Sequence, residues 1–247
     1  MNRIKCKIAY DGSGFSGYQV QPNGRTVQEE IERVLKAMHK GENVKVVASG
    51  RTDAGVHAKG QVIHFNTSLR LPDDRWPAAL NSQLPADISV LSAERCGESF
   101  HARYSAVGKE YRYRIYQETH RDPLLRHYAH HFPYQLDIEA MEQAAAHLIG
   151  RHDFTSFCSA RTEVEDKVRE IKKIEVLTDG TEIELRFVGN GFLYNMVRII
   201  TGTLLDVGSG KIPSDEIKNI LKGKNRALAG KTAPAMGLYL WEVFYSN

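Results

Sequence analysis

The sequence predicts an α+β chain assembled from two halves, each ordered βαββαβ. Three observations carry this. Segments that alternate apolar and polar residues in the manner of half-exposed strands recur along the chain, as in "IKCKIAY" and "KEYRYRIYQ". Segments with the 3.6-residue apolar period of a helix lie between them. The order of strand and helix signals in the first hundred residues then returns after about residue 105.

In chain order, "IKCKIAY" is the first strand. "TVQEEIERVLKAMHKG" follows as a helix, because Thr26 with Glu29 forms a capping box and Val27, Ile31, Val34, Leu35 and Met38 share one face. Strands are expected over 44–48 and 61–67, a helix near 74–83 and a strand over 88–95. The second half opens with "KEYRYRIYQ" at 109–117. "DIEAMEQAAAHLIG" reads as an amphipathic helix with Asp137 as N-cap and Gly150 at its end. "VREIKKIEVL" and "TEIELRFV" flank Thr178-Asp179-Gly180, a hairpin turn. "FLYNMVRIITGTLLDVG" is a buried helix ending at Gly208, a short helix follows over 214–222, and "LYLWEVFY" closes the chain as a strand. The expected domains are therefore 1–105 and 106–247, with the basic, glycine-containing piece at 223–236 as the best candidate for a mobile loop. Clefts between such halves commonly hold sites.

The 247 residues allow one large domain or two moderate ones, and 42% hydrophobic with 26% charged residues is the balance of a soluble globular protein. No apolar run approaches the roughly 18 residues of a membrane span, and the alternating N-terminus does not read as a signal peptide, so a cytoplasmic location is expected. Cys6, Cys96 and Cys158 are scattered and no CxxC occurs, which argues against a zinc ribbon or a disulfide scaffold. The ten histidines, His130-His131 among them, lack ligand spacing, so no metal is expected. The net charge of +3 is mild, but its distribution is uneven. Lys218, Lys222, Lys224, Arg226 and Lys231 fall in one stretch without an acid, and six basic residues face three acidic ones between Arg103 and Arg126. Such stretches suit a polyanion, and equally a solvated surface.

Four motifs bear on chemistry. "DGSGFSGYQ" matches a dinucleotide fingerprint in its glycines, but Pro22-Asn23-Gly24 intervenes before the helix signal at Thr26 and the preceding strand alternates. A phosphate-binding helix N-terminus is therefore missing, and the glycines read as a tight loop. "SGRTDAGVH" sets Arg51, Thr52 and Asp53 in a glycine-flanked bend. An Asp kept ionised by a nearby guanidinium can act as nucleophile or base; the same residues also make an ordinary Asx turn with a surface ion pair. In "KEYRYRIYQ", Tyr111 and Tyr113 share one strand face while Arg112 and Arg114 take the other. Such a strand can stack and hydrogen-bond an extruded base, with at least one tyrosine expected in the core. Arg198 sits inside an apolar helix and needs a phosphate, carboxylate or carbonyl partner. Asp53 is the expected one if Arg198 reaches the cleft. No P-loop, triad or paired-carboxylate motif occurs.

Taken together, "IAYDGSGFSGYQVQPNGRTVQEEIE", "SGRTDAGVHA", "FHARYSAVGKEYRY", "GNGFLYNMVRIITGTLL" and "TAPAMGLYLWEV" resemble the TruA family of tRNA pseudouridine synthases over essentially the whole chain, in order. The resemblance implies two ferredoxin-like or RRM-like halves with joined, mainly antiparallel sheets and a central active-site cleft. It implies isomerisation of uridine at positions 38–40 of the tRNA anticodon stem-loop, by a homodimer that needs no cofactor. Asp53 is the implied catalytic residue, positioned by Arg51 and Arg198. Tyr111 is implied to stack on the target base, and a leucine of "GLYL", Leu240 in preference to Leu238, to line the pocket. Arg103, Lys218, Lys222, Lys224 and Arg226 are candidates for phosphate contacts. The alternative from another class is a non-catalytic RNA-binding protein or RNA chaperone, against which the Asp53 carboxylate argues, since a pure binder has no use for it beside a polyanion.

Overall fold

Fifteen helices and strands follow one another along the computed structural model, which describes residues 1–160, 162 and 164–246. They are β1 (Asn2–Tyr10), α1 (Val27–Met38), β2 (Val47–Ala48), β3 (His57–Thr67), α2 (Arg75–Asn81), β4 (Ile88–Cys96), β5 (Ala106–Tyr116), β6 (His130–His131), α3 (Ile138–Ala146), β7 (Gly150–Asp153), β8 (Val168–Asp179), β9 (Glu182–Gly189), α4 (Met196–Gly208), α5 (Glu216–Gly223) and β10 (Leu238–Tyr245). The fold is α+β. The chain divides into Met1–Val107 with the last strand from Tyr239 onward, and Gly108–Leu238. The expected halves, 1–105 and 106–247, thus differ from the structure at the closing strand, which returns to the first unit.

In the first unit, β1 pairs antiparallel with β3 and with β4. The other edge of β3 is shared. β2 occupies it at Ile63 and His64, and β10 lies parallel to it at His57 and Ala58. This sharing explains why the strand expected over 44–48 is only two residues long. β3 is buried along nearly its whole length rather than on alternate residues. The Thr26 hydroxyl accepts the Glu29 amide, and α1 buries Val27, Ile31, Val34 and Leu35. Each such side chain contributes about 1.5–3 kcal/mol on burial. α2 packs on β4, with Trp76 edge-on to Phe65 at 5.4 Å.

In the second unit β5, β9, β8 and β7 form an antiparallel sheet, with β6 parallel to β5. The Asp179–Glu182 pair closes the predicted hairpin around Gly180 and Thr181. α3 keeps its Asp137 cap but stops at Ala146, where His147 and Leu148 tighten onto the carbonyls of Ala144 and Ala145 and Leu148 enters the core. Gly150 opens β7 instead of closing the helix. α4 starts at Met196, later than expected, after Asn195 in a left-handed conformation. Gly202 lets the chain lie directly on α4, since a Cβ there would sit 1.7 Å from the Lys231 carbonyl oxygen. Among the described residues, no helix is long and apolar enough to cross a membrane.

Candidate active site

The "SGRTDAGVH" bend connects β2 to β3 and is fastened from beneath. The Ser49 amide donates to the Val62 carbonyl at 2.8 Å. Gln61, fully buried in β3, accepts the Ser49 hydroxyl at 2.6 Å and donates to the Gly50 carbonyl at 2.8 Å. Thr52 points inward: its hydroxyl meets the Tyr10 hydroxyl at 2.7 Å and its carbonyl accepts the Tyr18 amide at 3.0 Å. Burial pushes the Tyr10 hydroxyl up to about 12, against hydrogen bonds to Thr52 and Gln61 that pull the other way, so it stays a neutral phenol at physiological pH. Asp53 then closes a tight turn, its carbonyl accepting the Val56 amide at 3.1 Å. With Thr52 anchored, Arg51 is exposed on one side of it and Asp53 half-buried on the other. A carboxylate held on a turn whose flanks are locked in this way is placed without an entropic cost at the moment of reaction.

The glycine loop serves this same bend. Gly12 begins a 3-10 turn packed on Val56, where a Cβ would fall 2.0 Å from the Val56 carbonyl oxygen. Its amide donates to His57 Nδ1 at 3.0 Å, and the His57 ring stacks on Tyr239 of β10 at 4.7 Å. The close approach that the glycines permit is to the protein's own backbone. β10 also carries Leu240, fully buried beside Ala58.

In the second unit, Tyr113 is core and its hydroxyl donates to the Pro234 carbonyl at 2.8 Å. Tyr111, two residues earlier on the same face, is 9% exposed and meets the Phe192 ring edge-on at 5.2 Å. Arg198 finds its carbonyl partner in Ala233: Nε donates to that oxygen at 2.7 Å, while Nη1 donates to Asn195 Oδ1 at 2.9 Å. The Ala233 amide donates back to the Arg198 carbonyl at 3.0 Å. The 223–236 piece is therefore tied to α4.

The opposite face of β5 is a ladder of charges. Glu110, only 1% exposed, accepts Arg112 at 2.7 Å and Arg186 at 2.9 Å. Burial pushes its carboxyl up, but the hydrogen bonds from Arg186 and Arg112 outweigh this and hold it below the usual carboxylate range. Arg112 also pairs with Glu184, and Arg114 with Glu182.

The candidate phosphate-contacting residues are dispersed. Arg103 is exposed on the loop after β4. Lys218 and Lys222 are exposed one turn apart on α5, with Lys218 paired to Asp215 at 2.7 Å. Lys224 ends that helix and pairs with Asp153 at 2.8 Å, which holds the Asp153 carboxyl low. Arg226 is half-buried and donates to the Ala229 carbonyl and the Thr232 hydroxyl, both within the 223–236 piece.

Sequence reasoning missed Tyr10, Gln61 and Phe192. A glutamine opening the strand expected over 61–67 was the available signal for Gln61. Tyr10 and Phe192 carried none beyond an aromatic beside a glycine-rich loop.

The first unit thus carries a carboxylate on a fastened bend, and the second a nearly buried tyrosine on a strand and an arginine in an apolar helix. The sequence profile of the tRNA pseudouridine synthases matches residues 7–105 and 144–246. The chain is 63% identical over 246 residues to tRNA pseudouridine synthase A of Bacillus pumilus, covering 99% of this chain and 100% of that one. It is 58% identical over 246 residues to the Bacillus subtilis protein of that name, with the same coverage, and 60% identical over 247 residues to that of Anoxybacillus flavithermus, covering 100% of both. The chain belongs to the tRNA pseudouridine synthase family, enzymes that isomerise uridine in tRNA.

Proposed function

We propose that this chain converts uridine to pseudouridine at positions 38–40 of the tRNA anticodon stem-loop, without a cofactor, as a cytoplasmic homodimer. The observation that carries the reading is the Asp53 bend, locked by Tyr10, Thr52, Gln61 and Ser49. The reaction breaks the bond between ribose C1′ and uracil N1, turns the detached ring, and joins C1′ to C5, from which a proton leaves to solvent while N1 gains one. Asp53 assists by attacking the ribose, by attacking the uracil, or by removing a sugar proton; each route uses a carboxylate kept ionised. Arg51 and Arg198 supply the positive charge that favours that state. Tyr111 stacks on the uracil and keeps the free ring bound, and Leu240 belongs to the apolar wall. Flipping the base out of its stack costs a few kcal/mol, which phosphate contacts from Arg103, Lys218, Lys222, Lys224 and Arg226 offset.

The architecture supports the same reading. The first unit has the order βαββαβ and the strand order β4-β1-β3-β2, as expected of a ferredoxin-like half. In the second, β5 and α3 are followed by three strands and two helices, a departure from a strict repeat.

The test uses tRNA transcripts labelled with tritium at uracil C5, with uridine at only one of positions 38, 39 and 40. Release from each of the three, and none from a transcript lacking all three uridines, is the expected result. Release that persists without those uridines overturns the site assignment, and no release from any transcript overturns the activity.

A further inference from the structure

The loop after β4 ends in an aromatic shelf that no step of the reaction uses. Tyr104 is 79% exposed, the highest value among the exposed large hydrophobic residues after Met1 and equal to Leu124. It is not loose. Its ring stacks on His101 with centroids 4.3 Å apart and planes 27° from parallel. His101 is itself fixed: its Nδ1 accepts the amides of Arg103 and Tyr104, its own amide donates to the Ser105 hydroxyl, and its carbonyl accepts the Ser105 amide.

The support continues inward. The His101 ring lies against His64 of β3 at 5.0 Å, and His64 Nδ1 accepts the Ala102 amide at 3.1 Å. The Ala102 carbonyl accepts the Tyr245 hydroxyl at 2.7 Å, and the Phe100 carbonyl accepts Arg3 Nη1 at 2.8 Å. The exposed ring therefore stands on β1, β3 and β10 together. The Arg103 guanidinium lies 6.0 Å from the Tyr104 ring centroid.

Core packing gives no reason to hold a tyrosine in water this firmly. A rigid, exposed aromatic face next to a cation is what stacks a nucleobase while neutralising its phosphate, and a ring already fixed loses little freedom when the base arrives. We propose that Tyr104, stacked on His101 and flanked by Arg103, is a platform for an unpaired base of the bound tRNA. The inference rests on tRNA being the substrate. The base it takes is remote from the reacting uridine. His64 lies seven residues along β3 from His57, where the Asp53 bend ends, a span of about 23 Å at ~3.3 Å per residue.

The test compares tRNA affinity of wild type with Tyr104→Ala, Tyr104→Leu, Tyr104→Phe and Tyr104→Trp. Tyr104→Ala and Tyr104→Leu should each weaken binding about tenfold or more, while the aromatic variants stay close to wild type, because stacking needs a π-face and not merely apolar area. The slope of log affinity against log salt should be unchanged in Tyr104→Ala and shallower by about 1 in Arg103→Ala. A set of tRNAs with 2-aminopurine at single unpaired positions should include one whose fluorescence is quenched by wild type and not by Tyr104→Leu. Equal affinity of Tyr104→Leu and Tyr104→Phe overturns the proposal. So does unchanged RNA affinity with a shift of Tyr104→Ala to a smaller species in sedimentation, which would make the shelf a contact between copies of the chain. If wild type itself neither binds nor isomerises tRNA, the substrate assignment fails first, and the two failures are told apart.

Discussion

Gln61→Leu is the substitution that most directly probes how the Asp53 bend is held. Leucine fills nearly the same space in β3 but offers no hydrogen bond. The Ser49 hydroxyl, at 0% exposure, and the Val62 amide each lose their hydrogen bond to Gln61 Oε1, and the half-buried Gly50 carbonyl loses the one from Gln61 Nε2. A buried hydrogen bond contributes about 0.5–1.5 kcal/mol net, so losing these three costs about 2–4 kcal/mol. Set against a typical total of about 5–15 kcal/mol, the variant remains folded at 25 °C. Freed of its clamp, the bend can move by an ångström, which lowers turnover about a hundredfold. The tRNA affinity should hold within about twofold, since the residues proposed to contact phosphate lie elsewhere in the chain. Urea unfolding, single-turnover tritium release and filter binding read the three quantities. A variant destabilised by the calculated amount yet turning over at the wild-type rate would refute the claim that Gln61 positions Asp53.

Three further outcomes follow from the same geometry. Tyr111→Phe should keep most of the activity and Tyr111→Ala should lose about ten- to a hundredfold more, measured as single-turnover rate, because the stacking proposed for Tyr111 needs the ring and not the hydroxyl. Glu110→Leu leaves Arg112 and Arg186 without their shared acceptor, and urea unfolding should show a loss of about 1–3 kcal/mol, moderated because both guanidinium groups can regain water. Burial pushes His64 down to about 4, helped by the charges of Arg3 and His101, so the folded chain binds fewer protons than the unfolded chain below its ordinary value of 6.5. Its contribution to stability is therefore complete above about pH 6.5 and is lost progressively as the pH falls toward 4. His64→Asn should flatten the stability profile over that window, and a slope identical to wild type would show that His64 is not the group titrating.

The parts of the fold legible in the sequence are those set by local chemistry. The Thr26–Glu29 box and the Val27–Leu35 face locate α1 almost to the residue, and the alternation of "KEYRYRIYQ" places Tyr111 and Tyr113 on one face of β5. What was not legible depends on pairing over long separations. "LYLWEVFY" is a strand by its composition, but nothing in it says that it will lie parallel to His57 and Ala58, some 180 residues earlier, and so belong to the first unit. That partnership also shortens β2 by taking the rest of the β3 edge. The site divides in the same way. The Asp53 bend stood out as a candidate, but its residues suit an ordinary Asx turn equally well, and it was the family resemblance that singled out the carboxylate. Its clamp is invisible, because the Tyr10–Thr52 and Ser49–Gln61 contacts join side chains 42 and 12 residues apart. The Arg112 and Arg114 face shows the limit from the other side: a strand rich in arginine pointed toward nucleic acid, and the structure pairs both with carboxylates.

The measurement that bears most directly on the account is single-turnover tritium release from C5-labelled tRNA by wild type and by Asp53→Asn, without metal or nucleotide, alongside tRNA affinity for both. Asparagine keeps the size of the side chain and removes the charge that each proposed route requires. The account predicts release by wild type, a fall of more than about a thousandfold in Asp53→Asn, and tRNA binding that is retained or tightened as a negative charge leaves the RNA surface. Equal release from the two proteins would contradict it, and would remove the Asp53 bend from the chemistry altogether.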